Sequence, residues 1–480
     1  MSFVSREMEL GLLADLYQRE RAQLLILYGR RRVGKTRLLT HWAGSLSQPV
    51  FYWMATQTSA ANQLRDFSQA LFRFLHIEAP VPATFSYGSW DAAFSELARA
   101  SESQRFVAIL DEITYVMQAN PEVPSLIQRA WDHQLHDSNI FLILTGSLAG
   151  IIQRAVLDYQ APLYGRATAR LKLQPLSFAA LDDMLPLYTT EQRVAVYTMT
   201  GGIPAYIEQF DDNLTLEENL KKRIVTPINV MLTDAVFLLR EQFEEPRNYM
   251  AVLEAIAAGY HRLTKVAEMS GISRTNITKY LSVLQDLGYV ERQVSATVRR
   301  PERSRRGRYV ITDPYLRFYF RFLVPYLADI EQGRVQQVTH LITEQLPVFI
   351  GKHTFEELCR EWVRIASDRG EMPFQAERVG SYWSQRVQVD VVAVSWRHKR
   401  LLLGECKWSS RATGEKVIKD LIAKTAEVVP GSSRWHCYYI IFAKQGFTEG
   451  ARNWAANHGL LLITLADIAS DMQRWLQPQR

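Results

Sequence analysis

Residues 24–43 read LLILYGRRRVGKTRLLTHWA. An apolar run leads into a loop of the form Gly-x4-Gly-Lys-Thr, from Gly29 to Thr36, and a helical pattern follows it. Strand, glycine loop and helix in that order form the context in which such a loop cradles phosphates. Glycines let the backbone curl until successive N–H groups face one point. The helix that starts there adds its positive end. Lys35 brings a point charge, and the Thr36 hydroxyl can ligate Mg²⁺. The expected phosphate-binding set is Gly29, Arg30, Arg31, Arg32, Val33, Gly34, Lys35, Thr36 and Arg37, with ATP and Mg²⁺ as ligands.

The surrounding sequence supplies a sheet for this loop. FVAILDE (106–112) is an apolar strand ending in two carboxylates, and strand ends in open α/β sheets face the ligand crevice. Asp111 is expected in the Mg²⁺ shell, and Glu112 is expected to polarise the attacking water. FLILTGS (141–147) follows, with Thr145 or Ser147 placed either as a γ-phosphate sensor or as a hydroxyl that only tidies a strand end. VFYWMA (50–55) is a further strand, and NQLRDFSQALFRFLH (62–76) and SLIQRAWDHQL (125–135) are amphipathic helices between strands. Short apolar runs alternating with helices predict a parallel α/β sheet.

The patterning divides the chain at 1–175, 176–245, 246–312, 313–347 and 348–480. The second segment is helical, punctuated by GGIP (201–204) and Pro227, and reads as a lid. The third reads as a winged helix-turn-helix. MAVLEAIAAG is its first helix, LTKVAEMSGIS its second with Gly271 at the turn, and a third is capped by Ser273 and ended by Gly288. YVERQV and RYVIT bracket the wing. Arg274, Thr275, Asn276 and Lys279 on the third helix suit phosphates or base edges. The wing, Arg299–Arg308, holds six arginines against the single acid Glu302. DNA is the expected partner; a solvated packing module is the rival reading.

In the last segment VQVDVVAV (387–394) and RLLLGEC (400–406) are strands, as is CYYIIFA (437–443). Glu405 and Lys407 stand two apart and so share a face, with Asp390 on the neighbouring strand. Such a trio can hold a divalent cation against a phosphodiester, or be a plain salt bridge. Cys406 between them faces the other way, as a core residue. His353 and His436 are read as packing or surface residues.

Two family resemblances rest on these residues. FVSREMELGLL, LYGRRRVGKTRLL, ILDE, LTGS, PLYGR and TGGIPAY resemble the prokaryotic AAA+/STAND-type ATPases of the archaeal-type MNS clade, over about residues 1–245. Phe3, Arg6 and Glu9 match that family's N-terminal signature. The resemblance implies a P-loop ATPase core with an extra strand between the two phosphate motifs, a helical lid, and Arg166 either as an arginine finger in a neighbouring subunit or as a plain salt bridge. The GG-P turn stands where the family's sensor arginine is usual. Residues 348–470 resemble the PD-(D/E)xK nuclease fold. There Asp390 and Glu405 would hold Mg²⁺, Lys407 would stabilise the reacting charge, Glu356 (or Glu357) would assist, and Lys424 would touch the nucleic-acid backbone; a catalytically silent copy is the other option.

The fold class is thus α/β: a P-loop parallel-sheet ATPase core with a helical lid, then a winged helix, then an α/β nuclease-like domain. Composition agrees. The chain has 480 residues, 47% of them apolar, 22% charged, and a net charge of +6, which is ordinary for globular protein and permits a nucleic-acid partner. Its three cysteines, far apart, build neither a disulfide framework nor a zinc site. No leader and no run of about 18–20 apolar residues is evident, so a cytoplasmic protein is expected. The leading functional expectation is an ATPase that binds DNA, forms a homo-oligomer and couples nucleotide state to a nuclease. The alternative is a nucleotide-dependent DNA- or protein-binding switch with a silent C-terminal domain.

Overall fold

A computed structural model of the chain describes residues 4–76, 80–102, 105–243, 245–431 and 434–476. It falls into two compact units. One holds residues 1–176 with 203–205 and 241–244; the other holds 177–202, 206–240 and 245–480.

The first unit is built on a five-stranded sheet. Its elements are α1 (Glu7–Gln18), β1 (Gln23–Tyr28), α2 (Lys35–Ala43), β2 (Val50–Met54), α3 (Ala60–Leu75), α4 (Trp90–Ala100), β3 (Phe106–Asp111), β4 (Ile140–Gly146) and β5 (Ala169–Lys172). The strand order is β2-β3-β4-β1-β5, with every pairing parallel. β4 therefore lies between the strand that feeds the glycine loop and the strand that ends in Asp111, as the resemblance implies. The near-continuous apolar runs of β1, β3 and β4 are buried on both faces, whereas β2 and β5, at the edges, alternate. An aromatic cluster fills one face: Phe67 of α3 lies 5.0 Å from Trp53 and 5.2 Å from Trp90. The helix expected over 125–135 is instead Val123–Ala130 followed by a π-helical turn, Trp131–Leu135.

The second unit begins with helices. α5 (Thr190–Thr200) opens with a Thr189/Gln192 capping box and ends at Gly201 in the left-handed region, φ 61°. A Cβ at Gly201 would sit 3.0 Å from Pro314, so glycine is needed there twice over. α6 (Pro246–Ala257), α7 (Leu263–Ser270) and α8 (Ile277–Asp286) form the helix-turn-helix, with Gly271 at φ 69° ending α7. β6 (Val290–Gln293) and β7 (Arg308–Ile311) pair antiparallel as the wing hairpin. α9 (Val335–Ile350) includes Pro347, so it crosses the 347–348 boundary expected from sequence, and it continues by a π-helical turn into α10 (Glu356–Asp368).

The chain then makes a mixed sheet of β8 (Arg378–Trp383), β9 (Gln388–Ser395), β10 (Arg400–Lys407), β11 (His436–Ala443) and β12 (Leu461–Thr464), in the order β12-β11-β10-β9-β8. β9 is antiparallel to β8 and β10; β10, β11 and β12 are parallel. α11 (Glu415–Ala423) and α12 (Glu449–His458) contribute Ile418, Leu421, Ala451 and Ala455 to the core with Val392, Val394, Leu401 and Leu403. No helix among the described residues is long and apolar enough to cross a membrane.

Candidate functional site

The glycine loop is held open by its own backbone. A Cβ at Gly29 would lie 2.5 Å from the Leu173 carbonyl oxygen, and Arg32 and Gly34 take φ values of 67° and 99°. These left-handed residues produce the curl. Arg6 supports the loop from below: its guanidinium donates to the Val33 carbonyl at 3.2 Å and to Glu9 at 3.0 Å. That gives the N-terminal signature a physical role; Phe3 lies outside the described residues.

Lys35 and Thr36 start α2 and meet the end of β3. Lys35 is 4% exposed; its Nζ donates to the Gly29 carbonyl at 3.2 Å and lies 3.5 Å from Glu112 Oε1. Burial pushes the Lys35 ammonium pKa down, against the pull of Glu112 and Asp111. Thr36 Oγ1 donates to Asp111 Oδ2 at 2.7 Å. Asp111 is fully buried and also accepts from the Tyr52 hydroxyl (2.6 Å), the Glu112 amide (3.0 Å) and the Thr145 hydroxyl. Glu112 sits at φ 50°, an unfavourable region for a side chain of its size. Ser147 holds its Oε2 with the backbone amide (3.0 Å) and the hydroxyl (2.8 Å). Thr145 and Ser147 therefore grip one acid each.

This arrangement fits a nucleotide with Mg²⁺. The positive φ values at Arg32 and Gly34 curl the loop around one point, and Thr36 with Asp111 offers the hard oxygen donors that Mg²⁺ takes. Arg31 is drawn to Glu241 at 2.6 Å, while Arg30 and Arg37 flank the curl. Tyr52 escaped the sequence reading. Its only sequence signal is its place on the strand beside β3, and burial next to Asp111 pushes its pKa above the ordinary range. Arg166 binds Asp132 of its own chain through Nε (2.9 Å) and Nη2 (2.8 Å), and the Pro162 carbonyl through Nη1 (3.1 Å).

The helix-turn-helix presents Arg274, Thr275, Asn276 and Lys279 to solvent. Two expectations need correction. α8 begins at Ile277 rather than at Ser273, because residues 273–276 form a turn in which the Asn276 amide bonds the Ser273 carbonyl at 3.0 Å; the Ser273 side chain caps nothing. Arg308 does not stand at the wing tip: it is half-buried, 4.5 Å over the Trp383 ring. Arg299, Arg300, Arg303, Arg305 and Arg306 remain exposed. Arg292 anchors the wing loop on the Ser304 and Pro301 carbonyls, and a Cβ at Gly307 would strike it at 2.4 Å. The Ala296 amide bonds the Ser381 carbonyl of β8 at 2.8 Å, and Arg378 donates to the Val298 carbonyl.

Where the start of β9 meets the end of β10 the acids and lysines converge, with Glu405 held in ion pairs. Glu405 accepts from Lys407 Nζ (2.7 Å) and Lys424 Nζ (2.8 Å), one on each oxygen. Asp390 accepts from the Cys406 amide at 3.0 Å. Arg360 joins Glu356 (3.2 Å) to the Asp390 carbonyl (3.0 Å), and Glu357 pairs with Arg317 at 2.8 Å. Burial, then the nearby Asp390, pushes Glu356 up to about 8. Among the described residues no group of three or more His, Cys, Asp or Glu side chains is arranged to hold a metal ion. Ammonium groups occupy both Glu405 oxygens in this arrangement. Cys406 faces away, with the Cys359 thiol nearby, and both cysteines are free. His353 is half-buried, its ring tilted against Phe349 at 4.8 Å; His436 is exposed.

Three family models match the chain. An ATPase domain predominantly from Archaea matches residues 3–210, an IclR helix-turn-helix domain 248–294, and a family described as "Archaea bacterial proteins of unknown function" 319–418. The uncharacterized protein MJECL04 of Methanocaldococcus jannaschii is 30% identical over 447 residues, covering 92% of this chain and 96% of that one. Among solved structures, Cdc6p from Pyrobaculum aerophilum aligns at 15% identity and TM-score 0.36, over 72% of this chain and 97% of its own. A STAND protein with a tetratricopeptide repeat sensor, PH0952 from Pyrococcus horikoshii, aligns at 13% identity and TM-score 0.29, over 77% of this chain and 51% of its own.

Proposed function

Because the chain belongs to the archaeal-type P-loop ATPase family that includes MJECL04, with an IclR-type helix-turn-helix and a C-terminal region of unknown function, we propose that it hydrolyses ATP and that nucleotide state governs a winged-helix contact with DNA. The observation that carries this reading is the meeting of Lys35, Thr36, Asp111 and Glu112 at the ends of β1 and β3. In it residues 1–175 carry hydrolysis, 176–245 form the lid, 246–312 contact DNA, 313–347 connect, and 348–480 form the C-terminal sheet.

The loop amides from Arg30 to Thr36 and the Lys35 ammonium bind the phosphates. Thr36 and Asp111 would hold Mg²⁺, which would supply positive charge against the phosphate oxygens. Glu112, fixed by Ser147, orients the water that attacks and receives its proton. Arg274, Asn276, Lys279 and the exposed wing arginines neutralise DNA phosphates. Arg166 enters only in a homo-oligomer, where it must exchange Asp132 for a neighbour's nucleotide. Sedimentation with and without ATP tests that step: a chain that stays monomeric with ATP removes it.

The test of the whole reading is ATP turnover in purified Lys35→Ala and Glu112→Gln. Loss in both is expected; turnover at the wild-type rate in both ends the reading. A second reading, metal-dependent strand cleavage by the C-terminal sheet, draws support from the convergence of Asp390, Glu405 and Lys407. The lysine pairing of Glu405 favours the non-cutting switch. Supercoiled plasmid with Mg²⁺ or Mn²⁺ decides: nicking that disappears in Lys407→Ala establishes cleavage, and an intact plasmid in every lane leaves the switch.

A further inference from the structure

The second unit contains a cavity of about 750 Å³, well within the range of about 300–1,000 Å³ typical of small-molecule sites. Its walls are the end of α6, the wing strand β7, residues 317–322, the end of α9, the start of α10, and β8. None of its residues belongs to the glycine loop.

The wall carries five cations: Arg308, Arg317, Arg321, Lys352 and Arg360. Three carboxylates face the same space: Glu356 pairs with Arg360 at 3.2 Å and Glu357 with Arg317 at 2.8 Å, while Glu344, well exposed, meets only the His340 imidazole at 3.2 Å, a neutral partner unless protonated. Three cations remain unneutralised. Among the described residues Arg308, Arg321 and Lys352 have no carboxylate partner; Arg308 lies over the Trp383 ring and Arg321 donates only to the neutral Gln345, at 2.8 Å. A fourth donor is also unmet: Nε of Arg317, a residue only 5% exposed, has no acceptor. Buried donors of this kind are rare in native proteins and call for an acceptor. Guanidinium groups match phosphate oxygens in pairs, whereas a single carboxylate would leave most of these donors unsatisfied. Trp383, Phe322 and Phe349 add flat apolar faces to the same wall.

We propose that this cavity binds a small ligand bearing a phosphate and a flat ring, a nucleoside monophosphate by class, at a site separate from the P-loop. The phosphate meets Arg321, Lys352 and Arg308; the ring lies against the aromatic wall. The wing strand and α10 share this wall, so the bound ligand ties the DNA-contacting hairpin to the C-terminal sheet.

The test is calorimetric titration of the full-length chain carrying Lys35→Ala, which silences the P-loop, with AMP, GMP, CMP and UMP in turn. Adenosine and inorganic phosphate serve as controls. At least one monophosphate is expected to bind one-to-one with a Kd of about 1 mM or tighter, and more tightly than either control. Adding Arg321→Ala and Lys352→Ala, both exposed positions whose loss leaves the core untouched, is expected to weaken binding by at least about tenfold. Arg321→Gln alone gives a milder version should the combined variant unfold. The proposal is overturned if none of the four binds the Lys35→Ala chain, or if binding survives the charge removal unchanged. ATP turnover in the chain carrying only Arg321→Ala and Lys352→Ala is expected at the wild-type rate, so failure here is separable from failure of the ATPase reading.

Discussion

In the proposed reading, Glu112 is the residue on which ATP hydrolysis turns. Its backbone is held at φ 50° and its carboxylate is shared between Ser147 and the neighbourhood of Lys35. Glu112→Gln keeps size and most contacts but removes the base, so turnover should fall by about 10²–10⁴-fold while nucleotide binding persists, as single-turnover and filter-binding assays would read. Ser147→Ala removes one of two donors and leaves the backbone amide. Its effect should be near tenfold, the size of one hydrogen bond of about 0.5–1.5 kcal/mol. His353 offers a prediction about stability. Burial, then Arg317 and Lys352, with His261 and Arg360 adding to them, pushes its pKa from 6.5 to about 2, so the folded chain refuses a proton that the unfolded chain accepts. Stability from this group is present above pH 6.5 and is lost as pH falls below it, by about 2 kcal/mol at pH 5. Urea midpoints of wild type and His353→Gln at neutral and acid pH should show the slope and its removal; parallel curves would refute it.

At the level of elements, legibility followed burial. β1, β3 and β4 are buried along almost their whole length, so their apolar runs announced them. β8 and β12 have every residue half-buried; β8 mixes polar with apolar side chains and β12 spans only four residues, so neither stands out as a buried strand. Ser-Arg-Thr-Asn satisfies a capping pattern and a turn equally well, and the chain takes the turn, so α8 starts at Ile277. The glycine loop and the carboxylates of β3 were legible because each lies in one contiguous stretch. Tyr52 on Asp111, and Lys424 on Glu405, join residues from separate elements, which no local pattern encodes; the Lys407 half of that clamp was legible from its spacing. The wing carries its own expectation: replacing Arg305 and Arg306 with alanine should lower the slope of log affinity against log salt by about 1–2, roughly one unit per phosphate contact. An unchanged slope would remove the wing from the DNA contact. Arg378→Ala should speed amide exchange across residues 294–299, since Val298 then loses its anchor on β8.

For the whole molecule, the charge that matters is local. A net +6 over 480 residues is slight, yet it gathers at the exposed wing arginines and around the cavity behind β7. The sheet order carries a different consequence, one of timing during synthesis. β1 pairs only with β4 and β5, Leu25 meeting Ile143 and Ala169. Ribosomes add about 5–20 residues per second, so the first strand waits on the order of 6–24 s, apolar and unpaired, for its earliest neighbour to be made. Nascent chains halted between β1 and β4 should therefore be sticky, chaperone-bound and blind to ATP, and nucleotide should begin to protect them from protease only once Gly146 has cleared the exit tunnel.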